Sequence, residues 1–166
     1  MIDKVEVPKE SVVYEYISDI DYSDAYKMAL RDTSVSAEEI YIHIFSHIPS
    51  WVIPLMRVRN KIVSLFGLKT DDSVSHKKVL TVDEKAGMFL IYRIEEEEII
   101  AGEDNVHLDF RVSVLKRDGE VTISTLVHYN NLFGKVYMSI IMPFHKMVVK
   151  AMMKNALKHE RIRKAI

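Results

Sequence analysis

The chain has 166 residues, 48% of them hydrophobic and 28% charged, with a formal net charge of −1. This length and balance are typical of one globular domain with a substantial core, and they exclude an intrinsically disordered chain. Cysteine is absent, which excludes disulfides and thiolate metal sites. Because the charged start, MIDKVEVPKE, also lacks the apolar stretch of a signal peptide, we predict a cytoplasmic protein.

The first predicted regular element is a strand over residues 21–30, where large and small side chains alternate. Residues 1–20 precede it as an N-terminal arm for which the sequence indicates no particular structure. No repeat and no Gly/Pro/Ser-rich linker interrupts the remainder. Residues 21–166 are therefore predicted to form a single domain.

Two short helices are predicted after this strand. Ser36 and Glu39 have the spacing of a capping box, in which each side chain accepts a hydrogen bond from the backbone N–H of the other residue. Ser50 is predicted to cap the second helix, residues 50–68, which has an apolar row on one side. Gly67 stands where a glycine commonly ends a helix.

From residue 79 onward the hydrophobic period is two, which predicts strands over 79–82, 87–94, 97–101, 105–116 and 120–130. Asp118 and Gly119 favour a two-residue hairpin turn, because both positions require a positive φ. This turn aligns the apolar residues on one face, pairing Leu108 with Tyr129, Phe110 with Val127, Val112 with Thr125 and Val114 with Ile123. The other face carries His107, Asp109, Arg111 and Ser113 opposite Asn130, His128, Leu126 and Ser124.

The last predicted element is a helix over residues 132–161, about 45 Å long. Pro143 cannot donate a hydrogen bond to the Ser139 carbonyl, so a kink is expected there. The longest uncharged run, residues 136–144, has nine residues against the roughly 20 that span a bilayer, so we predict no integral membrane segment. The apolar row predicted to face the sheet consists of Phe133, Tyr137, Ile140, Ile141, Phe144, Met147, Val148 and Ala151.

Together these elements predict an α+β fold in which an antiparallel sheet curves around a long C-terminal helix, with two short helices after the first strand. Three stretches resemble the signature blocks of the domain-of-unknown-function family 2867. They are LMRVRNKIVSLFGL (55–68), GEDNVHLDFRVSVL (102–115) and STLVHYNNLFGKVYMSIIMPFHKMVVKAMM (124–153), and with DYSDAY (21–26) the resemblance covers most of the chain.

That family is similar to the START-like, or polyketide-cyclase-like (SRPBCC), superfamily, which has the helix-grip fold. The resemblance implies a cavity between the curved sheet and the last helix that holds an apolar small molecule. Some proteins of this superfamily carry lipids, some sense ligands, and some catalyse cyclisation or dehydration. The leading hypothesis is a module that binds a hydrophobic small molecule without transforming it.

In a helix-grip fold the ligand would contact the first strand, the apolar face of the hairpin and the last helix. These positions predict as ligand-binding residues Asp24, Tyr26, Leu108, Phe110, Thr125, Val127, Tyr129, Tyr137, Ile140, Ile141 and Phe144. Apolar walls with a few hydroxyl groups suit a hydrophobic ligand and imply no cofactor. A filled core without a cavity is the alternative, because apolar rows commonly belong to a packed core.

The last helix has a second apolar face, formed by Met138, Met142, Val149 and Met153. A helix that is apolar on nearly all sides must be buried on nearly all sides, so this face needs a cover of its own. The second helix, a partner subunit in a homodimer, or the bound ligand could supply it. We predict the second helix, because its apolar row has a similar width, and Trp51 near its start would then report on ligand binding.

A cyclase- or dehydratase-type enzyme is the alternative function, and two arrangements could supply its acid–base group. One is Asp24, if it faces the cavity. The other is Asp109, which lies across the hairpin from His128 and would orient its imidazole, with Arg111 binding an anion. The competing interpretation of this second arrangement is a solvated outer face, the usual polar side of an antiparallel sheet.

Other functional motifs have less support. The five glycines form no nucleotide-binding motif. His43 and His47 share one face of the first helix, but the sequence nominates no third ligand, so no metal site is predicted.

The last helix carries a basic stripe, Lys146, Lys150, Lys154 and Lys158. Together with the amphipathic second helix it could dock on a membrane or a protein partner, so an interaction module is a third functional hypothesis. The simpler interpretation is a solvated helix end, where cations complement the helix dipole. No aromatic residues interleave with the stripe, so nucleic acid is not predicted as a partner.

Overall fold

The computed structural model describes residues 1–30, 32–65 and 75–158. Within them the chain forms β1 (Asp3–Val5), a 3-10 turn (Val12–Glu15), β2 (Tyr22–Ala29), α1 (Ala37–Phe45), α2 (Val52–Ser64), β3 (Lys85–Ala86), β4 (Phe89–Ile94), β5 (Glu98–Asp104), β6 (Leu108–Arg117), β7 (Glu120–Tyr129) and α3 (Leu132–Lys158). The strands form one antiparallel sheet in the order β1-β2-β7-β6-β5-β4-β3. The α+β class, with an antiparallel sheet and a long C-terminal helix, is confirmed. The short helices follow the second strand and not the first, because residues 3–5 already form an edge strand against β2.

The β6–β7 hairpin has the predicted register. Asp118 and Gly119 have φ values of 52° and 75°, as the two-residue turn requires. All four predicted apolar pairs are present. Leu108, Val112 and Val127 are buried, so the apolar face of the hairpin lies inside the molecule.

The predicted helix starts are only partly correct. At α1 the Glu39 N–H donates to the Ser36 hydroxyl at 3.1 Å, and the Ser36 N–H donates to the Glu39 carboxylate at 2.9 Å, so the capping box is confirmed. At α2 the N-cap is Trp51, which makes no side-chain capping bond, so the predicted cap at Ser50 is wrong. Gly67 lies outside the described residues.

The strand predicted over residues 79–82 does not form. The chain turns there: Asp83 has a φ of 64°, and its N–H donates to the Ile91 carbonyl. Val79 is 68% exposed. An alternating pattern needs a neighbouring strand to become part of a sheet, and the edge of this sheet is instead the short β3.

α3 is continuous through Pro143, but its rotation about its own axis differs from the prediction. Ile140 is 62% exposed, and Phe144 and Met147 are exposed as well. The buried residues of the helix are Gly134, Met138, Met152, Met153 and Ala156. Met138 and Met153 belong to the second apolar face, which was expected to need a cover of its own. That face, and not the row predicted to meet the sheet, is therefore the one that largely packs against the rest of the molecule.

A backbone contact at the start of α3 explains this rotation. A Cβ at Gly134 would lie 2.0 Å from the carbonyl oxygen of His107, so only glycine allows the helix to approach the β5–β6 loop this closely. Because α3 is apolar on nearly all sides, its hydrophobic pattern does not favour one face strongly. The close contact decides which face turns inward.

The outer face of the sheet is covered in its central part, so the interpretation of it as solvated is wrong there. Val13 of the 3-10 turn packs with Ile100 and Leu126 in a second hydrophobic cluster. Arg111, Ser113 and Ser124, which belong to the same face, are also buried. The N-terminal arm supplies this cover and adds β1 to the edge of the sheet.

A buried carboxylate fastens the arm to the sheet. Glu98 of β5 accepts hydrogen bonds from the hydroxyl of Ser11, from the Val12 N–H at 3.0 Å and from the Ser113 hydroxyl at 2.5 Å. These donors supply the polar partners that a buried carboxylate requires. Ser11 and Val12 are separated from Glu98 by 87 and 86 positions in the sequence, so these are long-range contacts.

Candidate functional site: an apolar cavity between the sheet and two helices

A cavity of about 500 Å³ lies between the sheet, α2 and α3. Most of its wall is apolar. The sheet contributes Phe89, Leu90, Leu108, Phe110, Val112 and Val127. α2 contributes Val52, Leu55, Met56 and Val63, and α3 contributes Tyr137, Met138, Ile141, Phe144, Val148 and Met152. The volume lies within the roughly 300–1,000 Å³ that small-molecule pockets occupy.

The structure brings most of the predicted ligand-binding residues together. Those that line the cavity are Leu108, Phe110, Thr125, Val127, Tyr137, Ile141 and Phe144. Tyr26 is buried in the main core, and Tyr129 packs beside Leu108 and Val127. Ile140 lies on the exposed side of α3. Asp24 is buried and reaches the cavity wall through its contact with His145.

The predicted ligand-binding residues included none from α2, β3 or β4, although the second helix was expected to lie close enough to the ligand for Trp51 to report on it. Phe89 and Leu90 follow a turn that the predicted strand boundaries obscured. Val52, Met56 and Val63 belong to the apolar row of the second helix, which was predicted to cover the last helix; in the structure they line the cavity. The signal for the α2 residues is the apolar row itself, because an apolar helix face must be buried. In the structure part of that face covers the cavity.

α2 and α3 are joined across the cavity by a polar contact. The Nε of Arg59 donates to the Tyr137 hydroxyl at 2.9 Å, and its Nη1 donates to the Asn60 side-chain oxygen at 2.9 Å. Arg59, Lys85 and His145 are cationic or ionisable groups in the wall, with Glu103 as the acidic group. The cavity is therefore apolar with a small number of polar groups, as in many small-molecule sites.

Asp24 sits in a short chain of polar groups behind the cavity wall. The Tyr22 hydroxyl donates to Asp24 Oδ2 at 2.5 Å, and His145 Nε2 lies 3.4 Å from Asp24 Oδ1. Burial acts to raise the pKa of Asp24, but the contact with His145, the Tyr22 hydrogen bond and the charge of Lys146 together hold this pKa below its ordinary value. Burial and the Asp24 carboxylate raise the pKa of Tyr22.

We expect Asp24→Asn to lower the free energy of unfolding at pH 7 by about 1 kcal/mol, because it removes a charge-assisted hydrogen bond. Since the folded-state pKa of Asp24 lies below its ordinary value of 3.8, its stabilising contribution is present above that pH and is lost as the pH falls below it. The difference between the wild type and the variant should therefore shrink from pH 6 to pH 3 in urea titrations. If the difference in unfolding free energy stays constant or grows over this range, the pKa of Asp24 is not lowered in the folded protein.

The second predicted acid–base arrangement does not form. Asp109 and His128 are paired in register, but Asp109 accepts from the Asn105 N–H and the Asn130 side chain. His128 Nδ1 lies 2.8 Å from the Asp19 carbonyl oxygen and 3.1 Å from an oxygen of Asp21. The hydrogen bond to the Asp19 carbonyl, followed by the nearby carboxylates, raises the pKa of His128.

Arg111, the predicted anion-binding residue, is occupied by protein groups. Its Nη1 donates to Asp104 at 2.6 Å, and its guanidinium lies 4.0 Å from the centre of the Tyr92 ring. This arrangement is a cation–π contact with an adjacent ion pair. Arg111 therefore contributes to the covered outer face of the sheet.

His43 and His47 do not form part of a metal-binding cluster in the described ranges, where no three His, Asp or Glu side chains converge as metal ligands would. His47 instead lines an open surface depression of about 710 Å³, together with Trp51, His76, Lys154 and Lys158. Trp51 is thus beside this depression, and the residues lining the apolar cavity do not include it.

The fold and the cavity define an α+β protein whose antiparallel sheet and two helices surround an apolar pocket. The family described as "Protein of unknown function (DUF2867)" matches residues 16–152. The chain belongs to this family. No curated protein and no solved structure matches it.

Proposed function

We propose that this protein binds a hydrophobic small molecule in the cavity between the sheet, α2 and α3, and holds it without transforming it. The observation that carries the proposal is a cavity of about 500 Å³ with a predominantly apolar wall. Burial of an apolar ligand there is favoured by roughly 25 cal/mol for each Å² removed from water. The layout of sheet and C-terminal helix is also what a START-like, helix-grip protein would have, and we propose that relationship for the fold.

Two neighbouring residues of the same type provide a matched test. Ile141 lines the cavity, whereas Ile140 points to solvent. Ile141→Trp should fill part of the cavity and weaken binding of a fluorescent anilinonaphthalene dye by about tenfold, or 1.4 kcal/mol. Ile140→Trp should leave the affinity of the dye within about twofold of the wild type.

The measurement is a fluorescence titration, accompanied by native mass spectrometry of the freshly purified protein to detect any ligand that co-purifies. Met56→Trp, which fills the cavity from α2, gives a second blocking variant. The cavity is ruled out as the binding site if all three variants bind the dye with the same affinity as the wild type. It is also ruled out if the wild type does not bind the dye at high micromolar concentration.

An enzyme of the cyclase or dehydratase type is the second candidate, and one contact supports it. His145 lines the cavity and lies against the buried Asp24, an arrangement in which a carboxylate orients an imidazole for proton transfer. If this function is correct, Asp24→Asn should abolish turnover of a ligand recovered from the protein while binding stays within about twofold. Loss of binding with unchanged turnover per bound ligand would exclude it.

A further inference from the structure

α3 turns an unbroken apolar row to solvent. The row consists of Leu132, Val136, Ile140, Phe144 and Met147, all exposed, and Leu132 is 75% exposed. Their spacing of four or three residues places them along one side of the helix. By length and composition alone α3 could cross a membrane, and only 11% of its most apolar window is buried. A core helix of a soluble protein passes the same test, but such a helix is mostly buried.

A second set of large apolar side chains is exposed on α2 and its C-cap: Ile53, Val58 and Ile62 of the helix and Leu65 directly after it, the last 77% exposed. α2 and α3 cover the same cavity and are linked by the hydrogen bond between Arg59 and Tyr137. Both helices that cover the cavity therefore expose large apolar side chains to solvent. Contiguous exposed apolar surface is uncommon on a monomer and marks a surface that binds something.

The charges of these two helices indicate what that partner is. α2 carries three Lys or Arg residues, of which Arg59 lines the cavity, and α3 carries five; neither helix contains Asp or Glu. The whole chain has a net charge of −1, so the eight cations of α2 and α3 leave −9 for the remaining residues. A positive surface with exposed apolar side chains is complementary to a layer that is anionic outside and apolar beneath.

We propose that α2 and α3 dock this protein on an anionic lipid surface. The apolar rows would enter the boundary between headgroups and acyl chains, and cations such as Lys135 and Lys154 would contact lipid phosphates. A second copy is a poorer occupant, because a twofold interface brings the same surface together and would oppose like charges. A protein partner is also disfavoured, since the cores of protein interfaces are depleted in Lys. The proposal does not depend on what the cavity holds.

The test is flotation of the full chain with vesicles of phosphatidylcholine alone or with about 30% phosphatidylserine. The wild type should bind the anionic vesicles at least about tenfold more strongly, and raising the salt from about 0.1 to 0.5 M should weaken this binding. The double variant Val136→Asp/Ile140→Asp, at two exposed positions outside the cavity lining, should bind at least about tenfold less, because two charges must then enter the apolar layer.

Two other exposed valines provide the control. Val79 and Val106, 68% and 70% exposed, lie outside both helices, so Val79→Asp/Val106→Asp should bind as the wild type does. Lys135→Glu/Lys154→Glu should lose the preference for anionic vesicles, whereas Lys78→Glu should retain it. Ile140→Asp alone should leave dye binding in the cavity unchanged, which separates this proposal from the proposed function.

Three outcomes would overturn the docking proposal. The first is absence of binding to either vesicle, and the second is equal binding to both. The third is a stable dimer in sedimentation experiments that Ile140→Asp dissociates, which would assign the apolar row of α3 to self-association.

Discussion

Replacing Gly134 with alanine is expected to lower the free energy of unfolding by about 2 kcal/mol. In an exposed helix interior this change would stabilise the protein by about 1 kcal/mol, because alanine has the higher helix propensity. Here the new Cβ would lie 2.0 Å from the carbonyl oxygen of His107 and 2.9 Å from its carbonyl carbon. Relieving such a clash in a packed site costs about 3 kcal/mol, so the steric term outweighs the propensity term.

The neighbouring hydrogen bonds explain why the loop cannot easily move away. The His107 carbonyl accepts from the Asn130 N–H at 2.9 Å. Asn131 accepts from the Gly134 N–H at 3.0 Å and donates to the Val106 carbonyl at 3.0 Å. Because Asn131 holds both the helix start and the loop, separating them would break these bonds.

Val136→Ala in the same helix is the control. Because the Val136 side chain is exposed, this change should alter the free energy of unfolding by no more than about 0.5 kcal/mol. Urea denaturation of the two variants and the wild type measures both effects. A Gly134→Ala protein more stable than the wild type would show that the start of α3 does not sit against the β5–β6 loop as described.

Replacing Glu98 with alanine is expected to cost about 3 kcal/mol, because it leaves buried donors without an acceptor. These donors are the hydroxyls of Ser11 and Ser113 and the Val12 N–H. Glu98→Gln should cost less, since the amide oxygen can still accept from Val12 and the hydroxyls can turn to accept from the amide.

The Glu98→Ala variant should lose the most local stability at the N-terminal arm, because Glu98 connects the arm to the sheet. Limited trypsin digestion should cleave after the exposed Lys9 faster in Glu98→Ala than in the wild type. Glu96→Ala, at an exposed site two positions earlier, should change neither the stability by more than about 0.5 kcal/mol nor the cleavage rate. Equal stability of the Glu98 and Glu96 variants would show that the arm does not depend on this carboxylate.

Local features of the fold were predictable from the sequence because they depend on residues close together in the chain. The capping box needs only Ser36 and Glu39, three positions apart. The hairpin turn needs only Asp118 and Gly119, whose φ preferences set the register of two ten-residue strands. Once the register was set, alternation decided which side chains share a face, and that face supplies Leu108, Phe110, Thr125 and Val127 to the cavity.

The candidate site was predicted in part for the same reason. Its hairpin residues follow from the register, whereas the α3 residues depended on a helix rotation that the hydrophobic pattern leaves open. Tyr137 and Ile141 line the cavity, but Ile140 does not. The contact between His145 and Asp24 joins residues 121 positions apart, and nothing in the spacing of either residue indicates the other.

The sequence by itself determined the α+β class, the pairing of β6 with β7, the start of α1 and the existence of a long C-terminal helix, since each follows from local backbone preferences or a short hydrophobic period. Only the tertiary structure decided which face of α3 turns inward, because that depends on the backbone approach of Gly134 to His107. It also decided that the N-terminal arm covers the outer face of the sheet, through Glu98 and its distant partners. Long-range contacts of this kind leave no periodic signal in the chain, because the residues that form them satisfy no local rule.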